Sequence, residues 1–205
     1  MSKINSIIFD LGGVLIDWNP EYVYLEVFNG DRLKMQWFFD NICTGEWNEN
    51  QDAGYPMAKA TEERVAMFPK HEELIRMFYG RWEGMLGDSI KDTVTILEKL
   101  VKSPDYKVVA LTNWSHETFP KALKKFDFLQ WFEGIVVSGE EKTRKPFKDI
   151  YQITLNRFRL KPEHSIFIDD SLRNIEAANS LGINGIQFKS PERLVKQLKQ
   201  YNINL

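Results

Sequence analysis

The sequence predicts an α/β fold, a doubly wound parallel sheet with one helical insertion, and three observations carry that prediction. Four short apolar runs are continuous rather than alternating, which suits strands covered on both faces. Helical patterns separate these runs, so strand and helix follow each other repeatedly. The interval from about Trp18 to Leu86 breaks that rhythm, because it carries helical periodicity and no strand signal.

The first strand is Ser6–Asp10 (SIIFD), an apolar run closed by an acid. The interval that follows is rich in Trp, Phe, Met and Glu. Its helical stretches are Tyr22–Phe28, Lys34–Phe39, Tyr55–Phe68 and Glu72–Met85. Breaks are expected at Asn29-Gly30, across Gly45 to Gly54, and at Pro69. A helix over Lys91–Val101 then leads into the strand Lys107–Thr112 (KVVALT) and a helix over Glu117–Phe126. The strand Gly134–Ser138 (GIVVS), the helix Phe147–Phe158 and the strand Ser165–Asp169 (SIFID) follow. Asn174–Leu181 is helical, Gly185–Phe188 is a weaker fifth strand, and Pro191–Tyr201 closes the chain as a helix. The expected division is an α/β core of residues 1–17 and 87–205, with a helical unit of residues 18–86 inserted after the first strand.

Composition narrows the classes. The chain has 205 residues, enough for a single core without disulfide or metal staples. Charged residues make up 27% and hydrophobic ones 43%, which is ordinary for a soluble globular chain. A formal net charge of -2 gives no field for nucleic acid. One cysteine makes no intramolecular disulfide, no stretch reaches the length of a membrane span, and Ile7-Ile8-Phe9 is too short for a signal peptide's apolar run. A cytoplasmic protein is the expectation.

In a parallel sheet the ligand site lies beyond the carboxyl ends of the strands, so those ends carry the functional reading. The first ends in Asp10, the second in Thr112-Asn113 and the fourth in Asp169-Asp170, while the loop after the third holds Arg144-Lys145-Pro146. Clustered carboxylates repel unless a cation offsets them, and hard oxygen ligands suit Mg²⁺. With the charge balanced, one carboxylate can act as a nucleophile, a hydroxyl and backbone N–H groups can hold phosphate oxygens, and a lysine can offset developing charge. Each residue alone also reads as a helix cap or loop residue. Their joint placement at strand ends is what points to chemistry.

These segments resemble, in order, the four motifs of the haloacid dehalogenase superfamily in its phosphatase branch. They are Ile7–Val14 (IIFDLGGV), Ala110–Asn113 (ALTN), Lys145-Pro146 with Ile150-Tyr151, and Phe167–Ala178 (FIDDSLRNIEAA). The resemblance implies that Asp10 attacks phosphorus, that Thr112 holds the phosphate and that Lys145 offsets its charge. It implies Mg²⁺ held by the Asp10 carboxylate, the Gly12 carbonyl and Asp170, with Asp169 and Asn174 beside the metal. The inserted helices then correspond to this family's small helical cap, and Cys43–Gly54 (CTGEWNENQDAG) to its specificity loop. Gly13, Asn113, Trp47 and Trp114 are the expected substrate contacts.

One position departs from the pattern. The family's usual phosphatase carries a second Asp two residues after the nucleophile, as general acid and then base, and here that position is Gly12. General acid catalysis typically contributes ~10²–10⁴-fold. His116, four residues past Thr112, is a candidate replacement. The expected function is a Mg²⁺-dependent phosphatase of a small phosphorylated metabolite. The alternatives are a haloacid dehalogenase, which uses the same nucleophile but does not keep the acidic pair, and a weakly active relative used for binding. A phospho-accepting receiver would place the acidic pair first and the acceptor third, and a dinucleotide-binding enzyme would show G-x-G-x-x-G after the first strand.

Overall fold

The computed structural model describes residues 3–203 and 205. Strand β1 (Ser6–Phe9) leads through a tight turn into β2 (Ile16–Trp18). Helices α1 (Glu21–Val27), α2 (Arg32–Asn41), α3 (Gly45–Asp52), α4 (Met57–Met67) and α5 (Glu72–Gly80) follow. The chain returns through β3 (Leu86–Ser89) and then alternates: α6 (Lys91–Lys102), β4 (Lys107–Thr112), α7 (Phe119–Lys125), β5 (Ile135–Val137), α8 (Ser138–Glu141), α9 (Lys148–Phe158), β6 (Ser165–Asp169), α10 (Leu172–Ser180), β7 (Asn184–Gln187) and α11 (Pro191–Gln200). No helix among the described residues is long and apolar enough to cross a membrane.

Strands β5-β4-β1-β6-β7 form one sheet in that order, every pair parallel. The order reverses at β1: the chain builds outward through β4 and β5, then crosses to the other side for β6 and β7. Ile8 is level with Val109 on one side and Phe167 on the other. Successive side chains of a strand point to opposite faces. Ile7, Phe9, Val108, Ala110, Ile166 and Ile168 therefore pack under α6, α7 and α11, while Ile8, Val109, Leu111 and Phe167 pack under α9 and α10. Both faces are dry, which is why these strands read as unbroken apolar runs.

The inserted helices hold a third core of their own, built around Val23, Tyr24, Met35, Phe38, Ile75 and Phe78. Tyr24 sits at its centre, 5.2 Å from the Phe38 ring and 5.1 Å from Phe39, and its hydroxyl donates to the Leu74 carbonyl at 2.6 Å.

Three expectations need correction here. Gly45 to Gly54 is not a break: Thr44 caps α3 by accepting from the Trp47 N–H at 3.1 Å. The helix is polar around most of its circumference, so no apolar stripe advertises it. Glu72–Met85 is not one helix, because α5 ends at Gly80 and a 3₁₀ turn at Trp82–Met85 redirects the chain. The interval is also clasped by strands: β2 and β3 pair antiparallel, Ile16 with Ser89 and Trp18 with Leu86. Strands of three and four residues are too short to leave a periodic signal.

Two glycines keep backbone close to backbone, Gly54 where the inserted helices settle on the core and Gly139 within the core. A Cβ at Gly54, whose φ is +91°, would meet the Gly139 carbonyl at 2.7 Å. A Cβ at Gly139 would meet the His116 backbone nitrogen at 2.5 Å and the Trp114 carbonyl at 2.9 Å. Backbone on both sides leaves nothing flexible to yield. Gly139→Ala is expected to destabilise the protein by about 1–3 kcal/mol, as overpacking does, read as a lower urea midpoint at unchanged m-value.

Candidate active site

The site forms where the chain leaves β1. The Asp10 N–H still donates to the Ile168 carbonyl at 2.8 Å, as a continuation of the sheet ladder. Its carboxylate turns back, and Oδ1 accepts from the Leu11 N–H at 2.8 Å. The Leu11 carbonyl then accepts from the N–H groups of Leu15 and Ile16, which closes the turn. Gly13 is required in that turn on two counts. Its φ is +70°, and a Cβ there would meet the Asp170 carboxylate at 2.5 Å.

Lys145 reaches this point from the loop after α8. It is fully buried, and its Nζ donates to Asp10 Oδ1 at 2.8 Å and to Asp169 Oδ2 at 2.7 Å. Asn113, at the end of β4, fixes the lysine's main chain from both sides: Oδ1 accepts from the Lys145 N–H at 2.8 Å, and Nδ2 donates to the Lys145 carbonyl at 3.0 Å. Asp169 in turn accepts from the Ser171 N–H at 2.8 Å and from Asn174 Nδ2 at 3.0 and 3.1 Å. Thr112 is buried beside them at the last position of β4. The residues expected to act together are therefore brought together, from three strand ends and one loop.

Charge is unbalanced within this group. Asp10, Asp169 and Asp170 each offer an oxygen within 4.8 Å of the others, against one buried ammonium. Burial pushes the Asp10 carboxyl well above the usual range; Lys145 opposes the shift, while Asp169 and Asp170 add to it. Burial also works against the Lys145 ammonium, but the charges of Asp10 and Asp169 outweigh it and raise its pKa. Two further observations match a hard cation. The buried Asn174 Oδ1 has no hydrogen-bond partner, and the Gly13 turn comes so close to Asp170 that its backbone and the acids share one small space. Oxygen donors of this kind suit Mg²⁺. Asp169 spends its oxygens on Lys145, Ser171 and Asn174, so Asp10 and Asp170 are the more open carboxylates.

Above Gly12 lies a cavity of about 90 Å³ between the sheet ends and the inserted helices. Trp114 and Asn113 line it, as expected, together with Trp18 and Trp82. Trp47 does not. It packs into the core of the inserted helices, 5.3 Å from the rings of both Phe78 and Tyr79, with the Arg64 guanidinium 5.4 Å over its own ring. Trp47 instead borders a separate groove of about 780 Å³. An aromatic one turn into α3 faces that helix's own neighbours. His116 is exposed and is not among the residues that line the cavity. Sequence reasoning missed Asn48 and Asp52, which line it from α3. Once α3 is read as a capped helix, their i, i+4 spacing puts them on one face.

The raised Asp10 carboxyl makes stability depend on pH. Above the ordinary carboxyl range the unfolded chain has released a proton that folded Asp10 still holds, so folding stability falls as pH rises until folded Asp10 titrates. Asparagine mimics the protonated form. In metal-free protein, Asp10→Asn is expected to change Tm little near about pH 5 and to raise it near about pH 8 by at least about 2–4 °C, the equivalent of 1 kcal/mol for a chain of this size. Thermal unfolding at both pH values in chelator checks this.

Comparison with known proteins agrees with this geometry. The haloacid dehalogenase-like hydrolase family profile matches residues 7–188. A phosphorylated carbohydrates phosphatase of Thermotoga maritima is 26% identical over 193 residues, covering 89% of this chain and 84% of that protein. A predicted HAD-like hydrolase from Porphyromonas gingivalis superposes with a TM-score of 0.73 at 20% identity, covering both chains completely. A HAD family enzyme from Bacteroides thetaiotaomicron, solved with magnesium and inorganic phosphate, superposes at 0.66 with 23% identity, covering 91% of this chain and 95% of that one. With a family match spanning the sheet, its inserted helical cap and the segments that carry Asp10, Thr112, Lys145 and Asp169, the chain belongs to the haloacid dehalogenase-like hydrolases.

Proposed function

We propose that this hydrolase is a Mg²⁺-dependent phosphatase of a small phosphorylated metabolite, with Asp10 as nucleophile and residues 18–86 as the cap over the site. The observation that carries this reading is the Asp10–Lys145–Asp169 arrangement, a buried carboxylate held by a buried ammonium at 2.8 Å and facing a second open acid, Asp170. The Thermotoga relative is named a phosphatase, and the Bacteroides neighbour holds magnesium and phosphate, which supports the same chemistry here.

The residues divide the work as follows. The Leu11 N–H and the Lys145 ammonium both meet the Asp10 carboxylate at Oδ1, which orients it and leaves Oδ2 as the attacking atom. The Oδ2–P bond forms as the bond from phosphorus to the ester oxygen breaks, giving an aspartyl-phosphate, and water then cleaves that ester to return the carboxylate and release phosphate. Lys145 offsets charge on the phosphoryl oxygens throughout, and the Thr112 hydroxyl with the Gly12 backbone N–H holds those oxygens. Asn113 acts on the substrate mainly through Lys145, whose main chain it clamps. Asp10, Asp170 and the Gly12 carbonyl would hold Mg²⁺, with Asp169 and Asn174 behind them; when bound, the ion supplies charge neutralisation for the incoming phosphate. The small tryptophan-rich cavity suits a compact leaving group with an apolar face.

The reading is tested by assaying a panel of phosphate esters with Mg²⁺ and with chelator. Turnover is expected with the metal and none in chelator. Asp10→Asn is expected to fall below detection, and Lys145→Ala to lose about 10²–10³-fold in kcat/KM, the usual effect of removing one preorganised charge partner. Metal-independent halide release from 2-haloacids, with no phosphate release, would instead identify a dehalogenase.

A further inference from the structure

Chemistry at the phosphorus leaves one requirement unmet by the sheet. The departing oxygen needs a proton, and Gly12 has no side chain to give one. A Cβ at Gly12 would meet no heavy atom within 4 Å, so the backbone here opens directly onto the cavity. Among the described residues that line this cavity, Asp52 is the one with an ionisable side chain. Resting on the phosphatase reading above, we propose that Asp52 of α3 is the catalytic acid and base for the leaving-group oxygen, acting from the cap side of the cavity.

Asp52 is held in place from both ends. Its carbonyl accepts from the buried Ser138 Oγ at 2.5 Å, which pins the last turn of α3 to the start of α8. Its Oδ2 accepts from Asn48 Nδ2 at 3.2 Å, and Asn48 Oδ1 accepts from the Tyr79 hydroxyl at 3.0 Å. This Tyr79–Asn48–Asp52 relay orients the carboxyl. The charged surroundings are Glu49 on its own helix, Arg144 and Lys145 on the loop after α8, and Tyr79 on α5, with the Ser115 N–H nearby after β4. Burial and Glu49 raise the Asp52 carboxyl to about 7, against the opposing pull of Arg144, the Ser115 N–H and Lys145. Both its acid and its base form are then populated near neutrality, as a two-step reaction requires. The Trp114 indole N–H at the cavity is engaged elsewhere, donating to Thr118 Oγ1 at 3.2 Å.

The proton balance closes over one cycle. As the Asp10 Oδ2–P bond forms, the P–O bond to the substrate breaks, and its electron pair takes the proton from Asp52, releasing an alcohol and leaving Asp52 as carboxylate. That carboxylate then accepts a proton from the water that attacks the aspartyl-phosphate. The P–O bond to Asp10 breaks with its electrons returning to Asp10, phosphate departs, and Asp52 is protonated again.

The test uses the full chain with Mg²⁺ and the isosteric variant Asp52→Asn, assayed on an alkyl ester (glycerol 3-phosphate) and an aryl ester (p-nitrophenyl phosphate). Loss of the acid is expected to cost about 10²-fold in kcat/KM on the alkyl ester, and at least tenfold less in kcat/KM on the aryl ester, whose oxygen leaves without a proton. The alkaline limb of the wild-type pH profile on the alkyl ester should disappear in the variant. A carboxyl ¹³C titration of metal-free protein, with Asp52 assigned by its absence from Asp52→Asn, is expected to show a midpoint near 7. Equal losses in kcat/KM on both esters, no loss on either, or an Asp52 midpoint near the ordinary value of about 4 would each overturn the assignment. Failure of the phosphatase reading looks different: the wild type would hydrolyse neither ester, and the acid assignment would fall with it.

Discussion

A single ammonium group, the Nζ of Lys145, sits fully buried between two carboxylates that arrive from adjacent strands, 2.8 Å from Asp10 and 2.7 Å from Asp169. Desolvating three charges is expensive, and their attraction offsets that cost only when the remaining hydrogen-bond valences are filled. They are filled here. Asp169 takes the Ser171 N–H and the Asn174 amide, Asp10 takes the Leu11 N–H, and Asn113 anchors the lysine's backbone. The triad ties β1, β4, β6 and the loop after α8 into one rigid group, and that rigidity lets a carboxylate be aimed rather than merely present.

The same cluster explains why the fold leaves so little room around it. Gly13 is in the left-handed region because its turn must pass beside Asp170, Gly54 is bare where the chain after α3 meets the Gly139 carbonyl, and Gly139 is bare because it meets the Trp114–His116 backbone. Ionic links close the same seam. Glu49 of α3 reaches Arg144 at 2.8 Å, next to Lys145, and also reaches Arg173 of α10, while the Glu117 carboxylate accepts from the Met57 N–H at 2.8 Å. The cap helices are thus coupled, through Arg144 and Arg173, to the two segments that carry the basic and acidic ends of the site. In the proposed mechanism this coupling has a chemical meaning: bond-making lies with the sheet, proton transfer lies with the cap, and the two meet only when α3 is seated.

Much of this was readable from residue order alone. Continuous apolar runs in Lys107–Thr112 and Ser165–Asp169 mark strands buried on both faces, and the structure places them there without a shift in their bounds. Helix α6 begins at Lys91 and α11 at Pro191, where the apolar periodicity starts. Asp10, Thr112, Lys145 and Asp169 could be picked out because a parallel sheet gathers its strand ends. The insertion was less legible. Helix α3 is polar and short, and its capped start at Thr44 was hidden by an apparent loop composition. The β2–β3 clasp has too few residues for periodicity to mean anything.

What the sequence by itself determined is the class of fold and the identity of the charged groups, because burial pattern and strand-end chemistry are local properties written along the chain. Tertiary structure decided which partners those groups have. Asn113 holds the lysine's main chain, Trp47 belongs to the cap's own core, and Asp52 and Asn48 face the cavity over Gly12. Each of these depends on contacts between residues far apart in the chain, Asn113 with Lys145 or Asp52 with Ser138. No window along the sequence contains both members of such a pair, so only the packed fold could make them neighbours.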